Sequence, residues 1–114
     1  MNSAERANTL LDKLRRLQEP QGYYFNDNAG LVLELLEGLL INKDRYGYMC
    51  CPCRLAGGSR AADRDITCPC VYRTADVQAY GSCYCGLYVS AEWLAGAIER
   101  QYVPERRPPS WPED

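Results

Sequence analysis

With 114 residues the chain has the length of one domain and room for a modest core. Apolar residues make up 46% and the formal charge is −2, which excludes a disordered chain and leaves no basic footprint for nucleic acid or an anionic membrane. No run of about 18 apolar residues is present and the N-terminal stretch lacks the apolar core of a signal peptide, so the expectation is a cytoplasmic protein without a membrane span. In a reducing compartment, cysteines more often bind metal or cycle electrons than form structural bridges.

Ala7, Leu10, Leu11, Leu14 and Leu17 form one helical stripe, opposed by Asp12, Lys13, Arg15 and Arg16. Ser3 is the predicted N-cap, and Pro20 and Gly22 the stop. Tyr23-Tyr24-Phe25 reads as a loop whose aromatics plug the core. Asn26 or Asp27 then caps a helix from about Asn28 to Asn42, whose leucines leave only a narrow polar strip around Glu34 and Glu37, so it is mostly buried. Gly38 in its interior costs about 1 kcal/mol relative to alanine, which close approach of another backbone would justify. Gly57-Gly58 marks a turn, and Ala61 to Asp65 a short helix. Thr74 is the expected cap of a helix over Ala75 to Tyr80, ended by Gly81. Gly86 to Val89 reads as extended, and Ser90 caps a last helix with Trp93, Leu94, Ala97 and Ile98 facing inward. From Pro104 the Pro-rich tail is either disordered or laid along the surface, with Trp111 as an anchor.

Six of the seven cysteines fall in Cys-x-Cys pairs: Cys51-Pro52-Cys53, Cys68-Pro69-Cys70 and Cys83-Tyr84-Cys85. In an extended segment residues i and i+2 point the same way, and the intervening proline stiffens the unit. A bridge within a pair would be strained. A structural zinc site and a four-iron cluster each take four thiolates and leave two of the six over; a disulfide scaffold would strand the seventh. Spacing alone leaves open which two are left over.

The order and flanks of the pairs resemble those of the ferredoxin:thioredoxin reductase catalytic (β) subunit family. The resemblance runs from about Phe25 to Glu99 and is carried by Leu36-Glu37-Gly38-Leu39, Tyr46-Gly47-Tyr48, Cys51-Pro52-Cys53-Arg54-Leu55, Asp65-Ile66-Thr67-Cys68-Pro69-Cys70 and Cys83-Tyr84-Cys85-Gly86-Leu87-Tyr88. It implies a [4Fe-4S] cluster on Cys51, Cys68, Cys70 and Cys83. It also implies a redox-active disulfide between Cys53, the outer thiol that attacks a target, and Cys85, the inner one. The implied activity is disulfide reduction driven one electron at a time. Ferredoxin or a rubredoxin-like carrier would be the donor, a thioredoxin-like protein the target, and a small variable subunit a further partner. Three departures stand out. Tyr84 occupies the place of the photosynthetic enzymes' histidine, as in the branch termed ferredoxin:disulfide reductases; the gaps between pairs are fourteen and twelve residues; and Cys50 is extra. The competing readings are a zinc-stabilised, non-enzymatic interaction module and a simple iron–sulfur electron carrier.

The expected fold is mainly α, a compact multihelical single domain over residues 1–103 with little or no β, a loop-built cluster site near one surface, and a tail over residues 104–114. Arg54 beside Cys53 either favours its thiolate or is an ordinary solvated arginine. Arg45, Arg54, Arg60, Arg64 and Arg73 are either a docking patch for an acidic carrier or ordinary surface charge.

Overall fold

The apolar stripe near the N-terminus becomes helix α1 (Ser3–Gln18), which lies along the longer helix α2 (Ala29–Tyr46). The structure, a computed structural model, describes residues 2–109. Ala7 and Leu14 of α1 meet Val32, Leu35, Leu36 and Leu39 of α2 in the main core, joined by Phe25, Leu87 and Tyr88. Leu36 and Ala7 are fully buried. The α1 cap is Asn2 rather than Ser3: the Asn2 side chain accepts from the Glu5 N–H at 2.8 Å. Leu17 is 52% exposed, and Gln18 takes the buried place at the end of the stripe because it accepts a hydrogen bond from Arg73 at 2.7 Å.

Pro20 enters a 3₁₀ turn, and Gly22 leaves it with φ of +90°. Tyr24–Phe25 is a strand, β1, not a loop. It pairs antiparallel with β2 (Tyr88–Val89), Tyr24 against Val89 and Phe25 against Tyr88. Asn28, not Asn26 or Asp27, caps α2 by accepting from the Leu31 N–H, while Asn26 accepts from the Asn28 N–H. The helix runs past Asn42 to Tyr46 and ends on left-handed Gly47. Ile41 is 53% exposed, so the buried face is narrower than its composition implies.

Three short helices follow: α3 (Arg60–Asp63), capped by Ser59; α4 (Arg73–Tyr80), closed by left-handed Gly81; and α5 (Ala91–Leu94), capped by Ser90. Thr74 caps nothing, because α4 starts a residue before it; its hydroxyl bonds that of Tyr23 at 3.0 Å. α5 is a single turn, so Trp93 is buried, Leu94 half-buried, and Ala97 and Ile98 exposed. The described residues are thus mainly helical, with one two-residue strand pair. No helix among them is long and apolar enough to cross a membrane.

Gly38 is accounted for by a side chain rather than a backbone. A Cβ there would stand 2.8 Å from Cβ of Pro52, the proline of the first cysteine pair. The α2 helix therefore acts as the floor of the Cys51–Cys53 loop. Gly38→Ala gains about 1 kcal/mol of helix propensity but overpacks the Pro52 ring at roughly 1–3 kcal/mol. The expected result is a net loss of stability in urea unfolding; a gain would show that the Pro52 loop is free to yield.

The segment after α5 crosses the surface as an extended strap. Arg100 pairs with Asp27 at 2.8 Å and lies 3.6 Å from the Trp93 ring, and Val103 is buried. Glu105, Arg106 and Arg107 then pair with Arg54, Asp76 and Asp65. Trp111 lies outside the described residues.

Candidate functional site

All three cysteine pairs sit in loops, and backbone hydrogen bonds bring those loops together. The Cys51 N–H donates to the Ile66 carbonyl at 2.7 Å, and the Cys68 N–H to the Met49 carbonyl at 2.8 Å, which sets the first two pairs side by side. Ile66 is fully buried against Tyr48, Cys50 and Cys51. The third pair lies in the turn leading into β2. There the Cys83 N–H donates to the Tyr88 carbonyl at 2.9 Å and the Gly86 N–H returns to the Cys83 carbonyl at 3.0 Å, with Gly86 at φ +82°.

The first Cys-Pro-Cys unit is a turn, not an extended segment. The Arg54 N–H donates to the Cys51 carbonyl at 3.2 Å, with Pro52 at the position where its fixed φ suits a β-turn. The turn still brings sulfurs together: those of Cys51, Cys53 and Cys85 lie within 4.8 Å of one another. Cys83 Sγ is 3.7 Å from Cys85 Sγ and accepts from the Tyr88 N–H at 3.3 Å. Cys51 and Cys83 are buried, Cys68, Cys70 and Cys85 half-buried, and Cys53 exposed. Cys50 is fully buried beneath the first pair, and no two of the seven are joined in a disulfide.

One cavity gathers most of these groups. Cys51, Cys68, Cys70, Cys83 and Cys85 line it, together with Arg54, Arg73, Tyr84 and Tyr88. Three wall residues carry buried polar atoms without a hydrogen-bond partner among the described residues: Arg54 Nη1, Arg73 Nε and Tyr88 Oη. Buried donors are ordinarily satisfied, so a cysteine-lined cavity with three unsatisfied groups in its wall is shaped for something that accepts hydrogen bonds.

The protonation pattern divides the thiols. Hydrogen bonds from the Cys51 and Cys85 thiols pull Cys53 down to about 4, against its burial and with help from Arg54. The donors move the other way: Cys51 is raised by its bond to Cys53, and Cys85 by its bonds to Cys51, Cys53 and Cys83. Cys83 falls to about 7 because Cys85 donates to it. Burial pushes Cys68 and Cys70 up, although Arg54 opposes the shift at Cys70. The shifts thus favour the thiolate at the exposed sulfur, and the thiolate is the nucleophilic form.

Two arginines are not surface charge. The Arg54 side chain is 3% exposed, and its guanidinium lies 5.3 Å from the Tyr72 ring and 4.5 Å from the Tyr84 ring. Arg73 is buried 3.7 Å from the Tyr23 ring and 4.7 Å from that of Tyr88. Neither belongs to an exposed docking patch. Half-buried Tyr84 lines the cavity, and burial raises its pKa, so it is a neutral hydroxyl. Gln18 carries no distinctive sequence signal, because a glutamine in a helix is commonplace, and Tyr88 stands in the family-like run from Cys83 to Tyr88 without a role that the run itself assigns.

No match was found among curated proteins. A sequence model of the family described as ferredoxin thioredoxin reductase catalytic beta chain matches residues 2–105, which span α1 to α5 and all three cysteine pairs. The chain belongs to that family of iron–sulfur oxidoreductase catalytic subunits.

Proposed function

We propose that this protein reduces protein disulfides with electrons received singly from a ferredoxin-class carrier. A [4Fe-4S] cluster on Cys51, Cys68, Cys70 and Cys83 and a redox-active pair formed by Cys53 and Cys85 would do the work. The observation that carries the reading is the single cavity lined by Cys51, Cys68, Cys70 and Cys83, with Cys85 in its wall and exposed Cys53 within 4.8 Å of Cys51 and Cys85. The donor set fits a cluster, which takes four thiolates. The unpartnered Arg54 Nη1, Arg73 Nε and Tyr88 Oη fit it too, since an anionic sulfur-rich group offers acceptors to all three. When bound, the cluster supplies one-electron transfer beside the dithiol.

The chain's own residues carry the disulfide chemistry. The Cys53 thiolate attacks one sulfur of the target disulfide; the Cys53–target bond forms and the other target sulfur leaves as thiolate. Cys85 then attacks the Cys53 sulfur, releasing the second target thiol and leaving a Cys53–Cys85 disulfide. Two electrons have passed to the target, and two from the donor, with two protons, restore the dithiol. Tyr84 supplies a hydroxyl donor at this pair where a histidine would titrate. A thioredoxin-like protein is the proposed target. The donor is ferredoxin, with a rubredoxin-like carrier as the other candidate, and a small variable subunit is a further possible partner.

Iron, zinc and acid-labile sulfide per chain, measured on protein purified without oxygen, test the reading. About four irons and four sulfides are expected. One zinc without sulfide would replace the enzyme with a structural metal module, and a cluster with no thiol pair changing state would make it a simple electron carrier.

A further inference from the structure

The Pro-rich strap is tied to the redox site through one buried cation. Arg54 Nε donates to Glu105 Oε2 at 2.6 Å and Nη2 to Oε1 at 2.7 Å, a two-pronged pairing across 51 residues of sequence. Only Nη1 is left, and it is buried and unpartnered in a residue that lines the cysteine cavity. The strap closes a ring around the guanidinium. Glu105 Oε1 also accepts from the Arg107 N–H at 2.8 Å, Arg107 Nε donates to Asp65 at 3.0 Å, and Asp65 accepts from the Tyr72 hydroxyl at 2.6 Å. The Tyr72 and Tyr84 rings both lie against the guanidinium, at 5.3 and 4.5 Å. Arginine carries five donors in a rigid fork, so fixing two of its nitrogens through Glu105 fixes where the third is placed.

The chain contains no histidine, and Tyr84 is neutral. Arg54 is therefore the fixed cation next in sequence to Cys53, and it lines the cavity together with Cys51, Cys70 and Cys85. We propose that Glu105 is a positioning residue for the redox pair: its carboxylate holds the Arg54 guanidinium against Tyr84, so that one positive charge stays beside Cys53 and the cysteine cavity. The inference rests on the proposed Cys53–Cys85 couple. Reduction adds two electrons to the pair, and a cation held there favours the more negative, reduced state, which makes the disulfide easier to reduce.

The test equilibrates the full, iron-loaded chain with a series of reduced and oxidised dithiothreitol mixtures, then traps free thiols with a mass-tagging maleimide. The midpoint of the Cys53–Cys85 conversion is read from the mass shift. Glu105→Ala is expected to move the equilibrium about tenfold toward the disulfide, roughly 30 mV more negative for a two-electron couple. Glu105→Asp keeps the charge but shortens the reach, and is expected to shift it the same way by several-fold. Arg54→Gln should reproduce the Glu105→Ala shift. If Glu105 only neutralised Arg54, Glu105→Ala would move the midpoint in the positive direction; if it only fastened the strap, neither Glu105 variant would move it. Either result overturns the proposal while leaving the couple intact. A wild-type chain whose two thiols never interconvert with a disulfide overturns the couple as well.

Discussion

Replacing Cys53 with serine is expected to lower the rate of target-disulfide reduction by at least a thousandfold, on the order of what loss of a nucleophile costs elsewhere. The expectation follows from exposure and charge together. Cys53 is the exposed member of the trio, and the Cys85 thiol and the Arg54 charge both favour its thiolate. A serine hydroxyl in the same place has no comparable thiolate and cannot form a mixed disulfide. Cys85→Ser is the complementary case. It leaves the attacking sulfur and removes the resolving one, so a covalent adduct with a thioredoxin-like target is expected to accumulate. Intact-mass measurement of a stoichiometric mixture would show that adduct and its release by excess reductant. Full activity in Cys53→Ser, or no adduct with Cys85→Ser, would reverse or remove the assigned roles. Iron content measured alongside separates loss of the nucleophile from loss of the metal site.

Asp63→Ala is expected to remove about 3–5 kcal/mol of stability, a large part of the total for a domain of this size. The carboxylate is fully buried and accepts from the Tyr48 hydroxyl at 2.6 Å, the Gly57 N–H at 2.7 Å and the Gly58 N–H at 3.2 Å, with Arg107 Nη2 at 3.8 Å. Truncation leaves those buried donors without an acceptor, which costs more than the bonds themselves contribute. It also releases the Gly57-Gly58 turn and Tyr48, which pack beside the loops holding the first two cysteine pairs, so iron loading should fall with stability. The pH dependence has a definite sign. Burial alone would raise the pKa of Asp63, but the Tyr48 and glycine donors outweigh it and the folded value lies below the ordinary one. Burial and the bond to Asp63 push Tyr48 up to about 12, so it remains a donor throughout. Stability from the carboxylate is therefore fully present above the unfolded value near pH 4 and lost as pH falls through the folded value. Urea unfolding should show a large gap between wild type and variant at pH 7 that narrows below pH 4; a gap independent of pH would mean that packing, not the charge, is what the substitution removes.

By itself the sequence determined the signals that are short in range. The stripe from Ala7 to Leu14, the leucine-rich run of α2, Gly81 after α4 and Ser90 before α5 each act within a few residues, and each is a matter of spacing or of a backbone angle. The three cysteine pairs and their flanks belong to the same class, which is why the family was legible before any geometry. The caps lie a residue or two from the positions the sequence favours because several adjacent polar residues, Asn2 and Ser3 or Asn26, Asp27 and Asn28, can each accept a first-turn N–H. Tertiary structure alone decided which sulfurs share a cavity, why Gly38 must lack a side chain, and where Arg54 and Arg73 go. Those answers depend on partners far away in the chain: Pro52 over Gly38, Gln18 on Arg73, Glu105 on Arg54. A charged side chain reads from sequence as solvated, since burying it unpaired is so unfavourable. Only the folded chain shows that two tyrosine rings and a carboxylate from the far end are waiting to pair with Arg54.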